Sequence, residues 1–168
     1  MSTRSESVGK TATVNDVRRR LWRYAPLVLW VGFIYFASTG SLSASKTSRI
    51  VGPLLVWLFP DITDEALLRA HFVVRKAALF FEYAVLALLA ARAFLTSSQI
   101  VLRRRWIAAA FTVVAVCALL DEFHQSFVST RTGTVYDSMI DVLGGATALA
   151  AVAFWRARRG KLAGRPSG

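Results

Sequence analysis

The sequence predicts an all-α integral membrane protein, a four-helix bundle with a short interfacial or re-entrant segment. Its 168 residues are 55% hydrophobic and only 18% charged, with a mean hydropathy of +0.46, a balance typical of membrane proteins. Long apolar runs alternate with short polar segments. Lysine and arginine are concentrated beside those runs, as in the cytoplasmic loops of membrane proteins.

Four apolar stretches are candidates for membrane helices. The first follows Arg18–Arg20, the third follows Arg103–Arg105, and basic residues close the fourth. Residues 1–17 lack apolar periodicity and predict a disordered cytoplasmic tail, whereas residues 157–168 predict a basic cytoplasmic tail. Residues 18–156 form the membrane domain between these tails. The spans are predicted at about residues 21–38, 72–95, 106–123 and 138–155.

The apolar segment at residues 50–59 is too short to cross a bilayer. It contains Gly52 and Pro53, and a helix of this length rises about 15 Å, half of a hydrocarbon core of about 30 Å. We therefore predict an interfacial or re-entrant segment. A second interpretation of the N-terminus stays open, because residues 18–45 have the order of basic region, apolar core and small residues found in cleaved signal peptides.

The net charge of +11 does not indicate a nucleic-acid partner. Of the 21 basic residues, 15 lie in three clusters that flank apolar runs, at residues 1–23, 92–105 and 156–168. A nucleic-acid-binding domain would gather them in one patch, whereas membrane topology sorts them by segment and places both termini in the cytoplasm. The single cysteine, Cys117, excludes a disulfide within one chain.

The segment Leu119–Gly145 joins two apolar runs by a dense polar hinge. Ionisable residues at membrane depth are costly and are by default a functional hypothesis. On a helix, Asp121, His124 and Gln125 fall within about 100° of one another. In the fourth span, Asp137 and Asp141 share a stripe with small residues that let helices approach closely.

In the predicted topology these polar residues converge at the outer ends of the helices. The second span contributes Arg75, Glu82 and Tyr83 on one face. Because the apolar runs are short, the polar outer turns of the helices must lie within the outer leaflet, where they form a polar pocket. The residues expected at the outer ends are Ser38, Thr39, Arg75, Lys76, Asp121, Glu122, His124, Gln125, Arg131 and Asp137.

Three interpretations of these charged residues stay open at this point. They can form structural ion pairs, bind an extracytoplasmic ligand that carries phosphate or carboxylate groups, or catalyse a reaction. The catalytic candidates are Asp121, Glu122 and His124, whose side chains suit acid–base chemistry. They lack the spacing of an established zinc motif, so we predict no metal and no cofactor.

The same residues resemble two conserved stretches of the VanZ-like family of bacterial membrane proteins. The resemblance extends over about residues 30–154. Leu79 stands where the family usually has His, and Asp141 where Asn is common. The first stretch is RKAALFFEY, with Arg75, Lys76, Glu82 and Tyr83; the second is DEFHQSF followed by TRTG with Arg131, Asp137 and the Asp141–Gly145 segment.

Membership would imply a small multi-span protein of the bacterial cytoplasmic membrane. Some relatives are linked to antibiotic resistance, through reduced susceptibility to teicoplanin-type lipoglycopeptides. The first hypothesis is therefore a cell-envelope protein whose outer pocket binds a lipid-linked cell-wall component or a lipoglycopeptide, with membrane lipid as a partner. The ligand-binding candidates are Arg75, Lys76, Glu82, Tyr83, Asp121, Glu122, Gln125, Arg131, Asp137 and Asp141.

Two alternative functions stay open. The first is a membrane enzyme that acts on a lipid-linked phosphate or glycan, with Asp121 or Glu122 as the base. The second is a proton-coupled transporter that uses Glu82 and Asp141 as intramembrane relays.

Overall fold

A computed structural model describes residues 3–38, 52–125 and 135–163, and the regular structure in these ranges is helical throughout. The prediction of an all-α fold is confirmed. The predicted site residues Thr39 and Arg131 lie outside the described residues. The helices are α1 (Thr3–Phe36), α2 (52–58), α3 (Asp64–Leu95), α4 (Ile100–Arg104), α5 (Trp106–Gln125) and α6 (Val135–Ala163).

Helix α3 begins well before the apolar run that predicts it. Thr63 is the N-cap residue, and its hydroxyl accepts a hydrogen bond of 3.3 Å from the backbone N–H of Ala66. Asp64 and Glu65 occupy the first turn, where carboxylates interact favourably with the positive end of the helix dipole. Local capping therefore extends the helix through a polar turn, and α3 starts at residue 64 rather than at residue 72.

Helix α3 lies at the centre of the fold and packs against α6, α5 and α1. Its buried face consists largely of alanines, and the residues that meet it from α5 and α6 are also small or medium-sized. Small side chains let helix backbones approach closely, which is how helices associate in lipid. The buried residues of these three helices include Tyr83, Leu86, Ala87, Ala90, Ala91, Ala93, Ala110, Val114, Ala118 and Leu149.

Two glycines of α6 set the spacing between α6 and its neighbours. A Cβ atom at Gly144 would collide with the backbone carbonyl of Phe80 on α3. At Gly145 a Cβ atom would lie 2.6 Å from Cγ1 of Val114 on α5. The packing role predicted by the small residues beside Asp141 is therefore confirmed, because no larger residue fits without moving a neighbour.

Three of the described helices, α3, α5 and α6, are long and apolar enough to cross a membrane. Each presents large hydrophobic side chains on its outer surface, where a soluble monomer would rarely expose so much contiguous apolar area. In a bilayer these side chains contact lipid. Examples are Phe81, Leu88, Ile107, Phe111, Leu119, Leu143 and Phe154.

Helix α1 differs from the prediction in two respects. It begins at Thr3, inside the tail predicted for residues 1–17. Once the apolar half is helical, each added residue gains a backbone hydrogen bond at little cost. Helix α1 is also absent from the three candidate spans, since its uncharged part, from Tyr24 to Phe36, is shorter than the roughly 20 residues of a span. The four-span bundle stays a prediction.

The other predicted boundaries differ in smaller ways. Helix α6 runs from Val135 to Ala163, so the tail predicted to begin at residue 157 is helical in its first part. Helix α5 ends at Gln125 rather than at residue 123. Within the predicted interfacial segment, residues 52–58 form α2; its location relative to a membrane stays a prediction.

Contacts along the helices show which ends lie together. Helices α3 and α6 run in the same direction, and α1 and α5 run in the opposite direction. One end of the fold therefore gathers the first half of α3, the first turn of α6 and the last turns of α1 and α5. We call this the polar end. The opposite end gathers the arginine-rich segments, and we call it the basic end.

Candidate functional site

Asp137 of α6 links that helix to α3 at the polar end. Lys76 Nζ forms a salt bridge with Asp137 Oδ1 and donates a hydrogen bond to it, and Arg75 Nη2 lies 3.8 Å from Asp137 Oδ2. The side chain of Asp137 is 6% exposed, whereas that of Arg75 is 39% exposed. The carboxylate is therefore buried in the bundle, while the guanidinium reaches its surface.

Two more carboxylates reach the site from α5. Asp121 Oδ2 accepts a 2.6 Å hydrogen bond from Gln125 Nε2, one helical turn further along. Glu122 Oε2 accepts a 2.9 Å hydrogen bond from the hydroxyl of Ser138 on α6. Gln125 thus orients Asp121 within α5, and Glu122 links α5 to α6.

Asp141 is the most buried carboxyl-bearing residue of the site. It is 2% exposed, and its Oδ1 has no hydrogen-bond partner in the described part of the chain. Glu82, Asp121 and Glu122 lie close enough to act on it electrostatically, as does Lys76. Three carboxyl groups therefore lie within electrostatic range of a fourth, and Lys76, the cation that acts on Asp141, also pairs with Asp137.

Two further buried polar atoms at the polar end lack a hydrogen-bond partner among the described residues. They are the phenol oxygen of Tyr83, on a fully buried side chain, and Oε1 of Gln125, a residue that is 3% exposed. Buried polar groups in folded proteins are almost always hydrogen-bonded, so each exception calls for a partner. Tyr83 also lies within electrostatic range of Asp141 and Asp121.

The last turns of α1 and α5 contact each other at the polar end. The rings of Tyr35 and His124 pack with centroids 4.9 Å apart and an interplanar angle of 40°. His124 Nε2 and Ser38 Oγ are buried, and neither has a hydrogen-bond partner within residues 3–38, 52–125 and 135–163. His124 is therefore held against an aromatic ring of α1.

Helix α1 also makes a polar contact with α3 deeper in the bundle. Trp30 Nε1 donates a 3.0 Å hydrogen bond to the backbone carbonyl of Glu82. The Glu82 side chain is only partly buried, and its charge acts on Asp141. The Trp30 contact fixes α1 beside the turn of α3 that carries both Glu82 and Tyr83.

The structure thus brings together most of the residues that the sequence singled out, with Arg131 outside the described residues. Five carboxyl groups and two cations meet at the polar end. No group of three His, Cys, Asp or Glu side chains suited to a metal ion occurs within the described ranges. We refer to the following set as the polar cluster: Arg75, Lys76, Glu82, Tyr83, Asp121, Glu122, His124, Gln125, Asp137, Ser138 and Asp141.

The comparison with protein families identifies the chain. The family model described as VanZ/LLP1 matches residues 23–156, which is most of the sequence. The chain belongs to the VanZ/LLP1 family. Neither the comparison with curated proteins nor the comparison with solved structures gave a match.

The region shared with the VanZ/LLP1 family contains the whole polar cluster, from Arg75 to Asp141. It also contains all three helices that are long and apolar enough to span a bilayer, apart from the last turns of α6. Family membership and these helices together support a membrane protein.

Several contacts of this VanZ/LLP1 protein were not predicted from the sequence. Tyr35, Trp30 and Ser138 gave no signal of their own, because an aromatic residue near a helix end is usually an interface anchor and a lone serine in a helix is common. In the structure Trp30 and Ser138 are hydrogen-bond donors to another helix. Only knowledge of which helices pack together would have revealed these roles.

Proposed function

We propose that this VanZ/LLP1 protein binds an amphiphilic cell-envelope molecule at its polar cluster, either a lipid-linked cell-wall component or a lipoglycopeptide. The observation that carries the proposal is the set of buried polar atoms without partners, within the described residues, between α3, α5 and α6. These are Tyr83 Oη, Gln125 Oε1 and Asp141 Oδ1.

The free-energy cost of burying polar atoms without partners is the first argument for a ligand. A buried polar group without a partner costs about 1–3 kcal/mol, and a buried charge costs more unless it is paired. The three groups are at least 97% buried, so bulk water does not relieve the cost. A bound molecule that supplies hydrogen-bond donors would offset it.

The second argument is the match between the cluster and an amphiphile. Arg75 is partly exposed and suits a phosphate or carboxylate group, whereas carboxylate and amide oxygens deeper in the site accept from hydroxyl, amide or amino groups. The exposed apolar faces of α3, α5 and α6 can accommodate an acyl or polyprenyl chain. Both proposed ligands combine these three chemistries.

The third argument concerns orientation. Basic segments flank spans on the cytoplasmic side of a membrane, so the basic end would face the cytoplasm of a bacterial cell. The polar cluster at the opposite end would then face outward, where lipid-linked cell-wall components and lipoglycopeptides are present.

The direct test is a binding measurement on purified protein in lipid nanodiscs. We expect a teicoplanin-type lipoglycopeptide, or a lipid-linked cell-wall precursor, to bind the wild type. Arg75→Gln and Gln125→Leu should each weaken binding by about tenfold, the value of one hydrogen bond that involves a charged or buried partner.

The matched control for that measurement is Arg69→Gln. Arg69 belongs to an exposed ion pair with Glu65 near the start of α3, so the substitution removes the same charge outside the cluster and should leave binding unchanged. Thermal melting would show whether each variant is folded. The proposal fails if neither ligand binds the wild type, or if folded cluster variants bind as tightly as it does.

A second function, proton-coupled transport, is favoured by Asp141 specifically. Its carboxyl group lies inside an apolar helix beside Glu82 and two further acids, as in proton relays of membrane transporters. Proteoliposomes with an entrapped pH-sensitive dye should then show proton flux that Asp141→Asn reduces. Flux no greater than in protein-free vesicles would remove this candidate.

A further inference from the structure

The basic end gathers four separate segments of the chain. These segments are the last turns of α3, the last turns of α6, the residues that precede α5, and the middle of α1. Most of these side chains are exposed, and the sequence places a single acid, Asp16, among them. The basic side chains are Arg18, Arg19, Arg20, Arg23, Arg92, Arg103, Arg104, Arg105, Arg156, Arg158, Arg159 and Lys161.

Specific contacts hold α1 against α3 at this end. Pro26 has no backbone N–H, so the carbonyl of Trp22 loses the hydrogen bond that a helix would normally give it. Both terminal nitrogens of Arg92 lie 3.5 Å from that carbonyl oxygen. A 3.1 Å hydrogen bond between the hydroxyls of Tyr24 and Ser97 adds a second link. The arginines of α1 are thereby kept beside those that follow α3.

Among the described residues, few charges of the basic end are paired with an acid. Within the described ranges, the ion pair found there joins Arg19 to Asp16 at 3.9 Å, and both side chains are more than 70% exposed. Exposed pairs of this kind contribute little. The basic end therefore retains a dense positive charge that nothing described in the chain neutralises.

Two arginines of α6 are oriented by aromatic rings. The Arg158 guanidinium carbon lies 4.3 Å from the centroid of Phe154, and that of Arg159 lies 3.8 Å from the centroid of Trp155. Tryptophan at the end of a span is typical of the headgroup region. In a bilayer, both guanidinium groups would lie near the lipid phosphates, each next to an aromatic ring of the same helix.

We propose that the basic end binds anionic phospholipids, whose headgroup phosphates occupy the space between the four basic segments. Clusters of basic residues at the end of a membrane span attract anionic lipids, and a planar guanidinium group pairs well with phosphate. The fold adds to this by bringing together clusters that lie far apart in the chain. This lipid site is separate from the polar cluster and does not depend on the proposed function there.

The test measures whether the protein prefers anionic or zwitterionic lipids as its neighbours in vesicles. Wild-type protein would be reconstituted in phosphatidylcholine that contains the same small fraction of either brominated phosphatidylglycerol or brominated phosphatidylcholine. We expect the anionic quencher to reduce tryptophan fluorescence more strongly, since Trp22, Trp106 and Trp155 lie at the basic end. The preference should fall as salt is raised, because salt screens exposed charges.

Variants at exposed positions then test the site itself. Arg158→Gln with Arg159→Gln should lower the preference about 25-fold, as each basic side chain near an anionic surface contributes about 1 kcal/mol, or roughly fivefold. Arg103→Gln with Arg104→Gln should lower it to a similar extent. Arg69→Gln, which removes a charge at the polar end, should leave it unchanged.

Three outcomes would overturn the proposal. The wild type could show no preference for the anionic quencher, or Arg69→Gln could reduce the preference as much as the α6 double variant does. Inorganic phosphate could also abolish the preference when chloride of equal ionic strength does not. That result would assign the site to a free anion rather than to lipid.

Discussion

The two ends of the molecule use charged residues in opposite ways. At the polar end, Asp137 and Asp141 are buried between helices, and Asp137 is paired with Lys76 and Arg75. At the basic end, arginines such as Arg158 are exposed and have few acids near them. A buried charge must find a partner within the protein, whereas an exposed one is solvated by water or headgroups.

This difference indicates which charges affect the stability of the folded state and which affect interactions with lipid. Removing a charge from the polar end leaves its partner buried and unpaired, so the folded state should lose stability. Removing one from the basic end leaves a solvated surface, so stability should change little while lipid preference changes. The following substitutions test that division, from the largest expected effect to the smallest.

Asp137→Ala should have the largest effect. It leaves Lys76 and Arg75 without their carboxylate, and because Lys76 is partly exposed we expect a loss of about 3 kcal/mol, at the low end for a broken buried pair. The free energy of unfolding can be measured by denaturant titration in micelles. Glu65→Ala, which breaks an exposed ion pair with Arg69, is the matched control and should cost less than about 1 kcal/mol.

The pairing itself can be tested in the same system. Asp137→Leu combined with Lys76→Met removes both partners of the salt bridge, and the double variant should be more stable than Asp137→Ala. Equal losses for Asp137→Ala and Glu65→Ala would contradict the contrast between buried and exposed charge.

Gly144→Ala should have the next largest effect. The added methyl group meets the backbone carbonyl of Phe80, so α3 and α6 must separate beside Asp141, at a cost of about 2 kcal/mol. Gly32→Ala is the control, because nothing lies within 4 Å of its Cβ position, and it should be neutral or stabilising by up to about 1 kcal/mol. Thermal unfolding in detergent measures both, and equal melting temperatures would show that the crossing is not tight.

Arg92→Gln should have the smallest effect, about 0.5 kcal/mol, since both of its hydrogen bonds are long and exposed. The effect depends on Pro26, because the alanine introduced by Pro26→Ala would supply the missing N–H to the Trp22 carbonyl. A double-mutant cycle should therefore show a smaller Arg92→Gln loss in the Pro26→Ala background. Identical losses in both backgrounds would mean that Arg92 does not replace the proline's missing hydrogen bond.

The sequence predicted much of the fold because its signals are local. Apolar runs predicted the approximate positions of α3, α5 and α6, because each run is continuous in the sequence. The extent of α1 and α6 could not be predicted in this way. Their polar ends carry no apolar periodicity, and they are helical as continuations of apolar segments.

The sequence singled out the residues of the candidate site, but it did not indicate most of the contacts between them. Helical periodicity placed Asp121 and Gln125 on one face, and the structure shows their hydrogen bond. It could not indicate that Glu122 would bond Ser138 or that His124 would pack on Tyr35. Periodicity specifies which way a side chain points from its own helix, and it contains no information about the helix opposite.

The sequence by itself determined that this chain is helical, apolar enough for a membrane and charged in separate segments. Composition and spacing are sufficient for these properties because each depends on neighbours within a few turns. Only the tertiary structure decided that Asp137 meets Lys76, that Gly144 meets Phe80, and that Asp141 comes within electrostatic range of three other acids. Those outcomes depend on which helix faces pack together, and that choice follows from the shape and volume of side chains far apart in the chain.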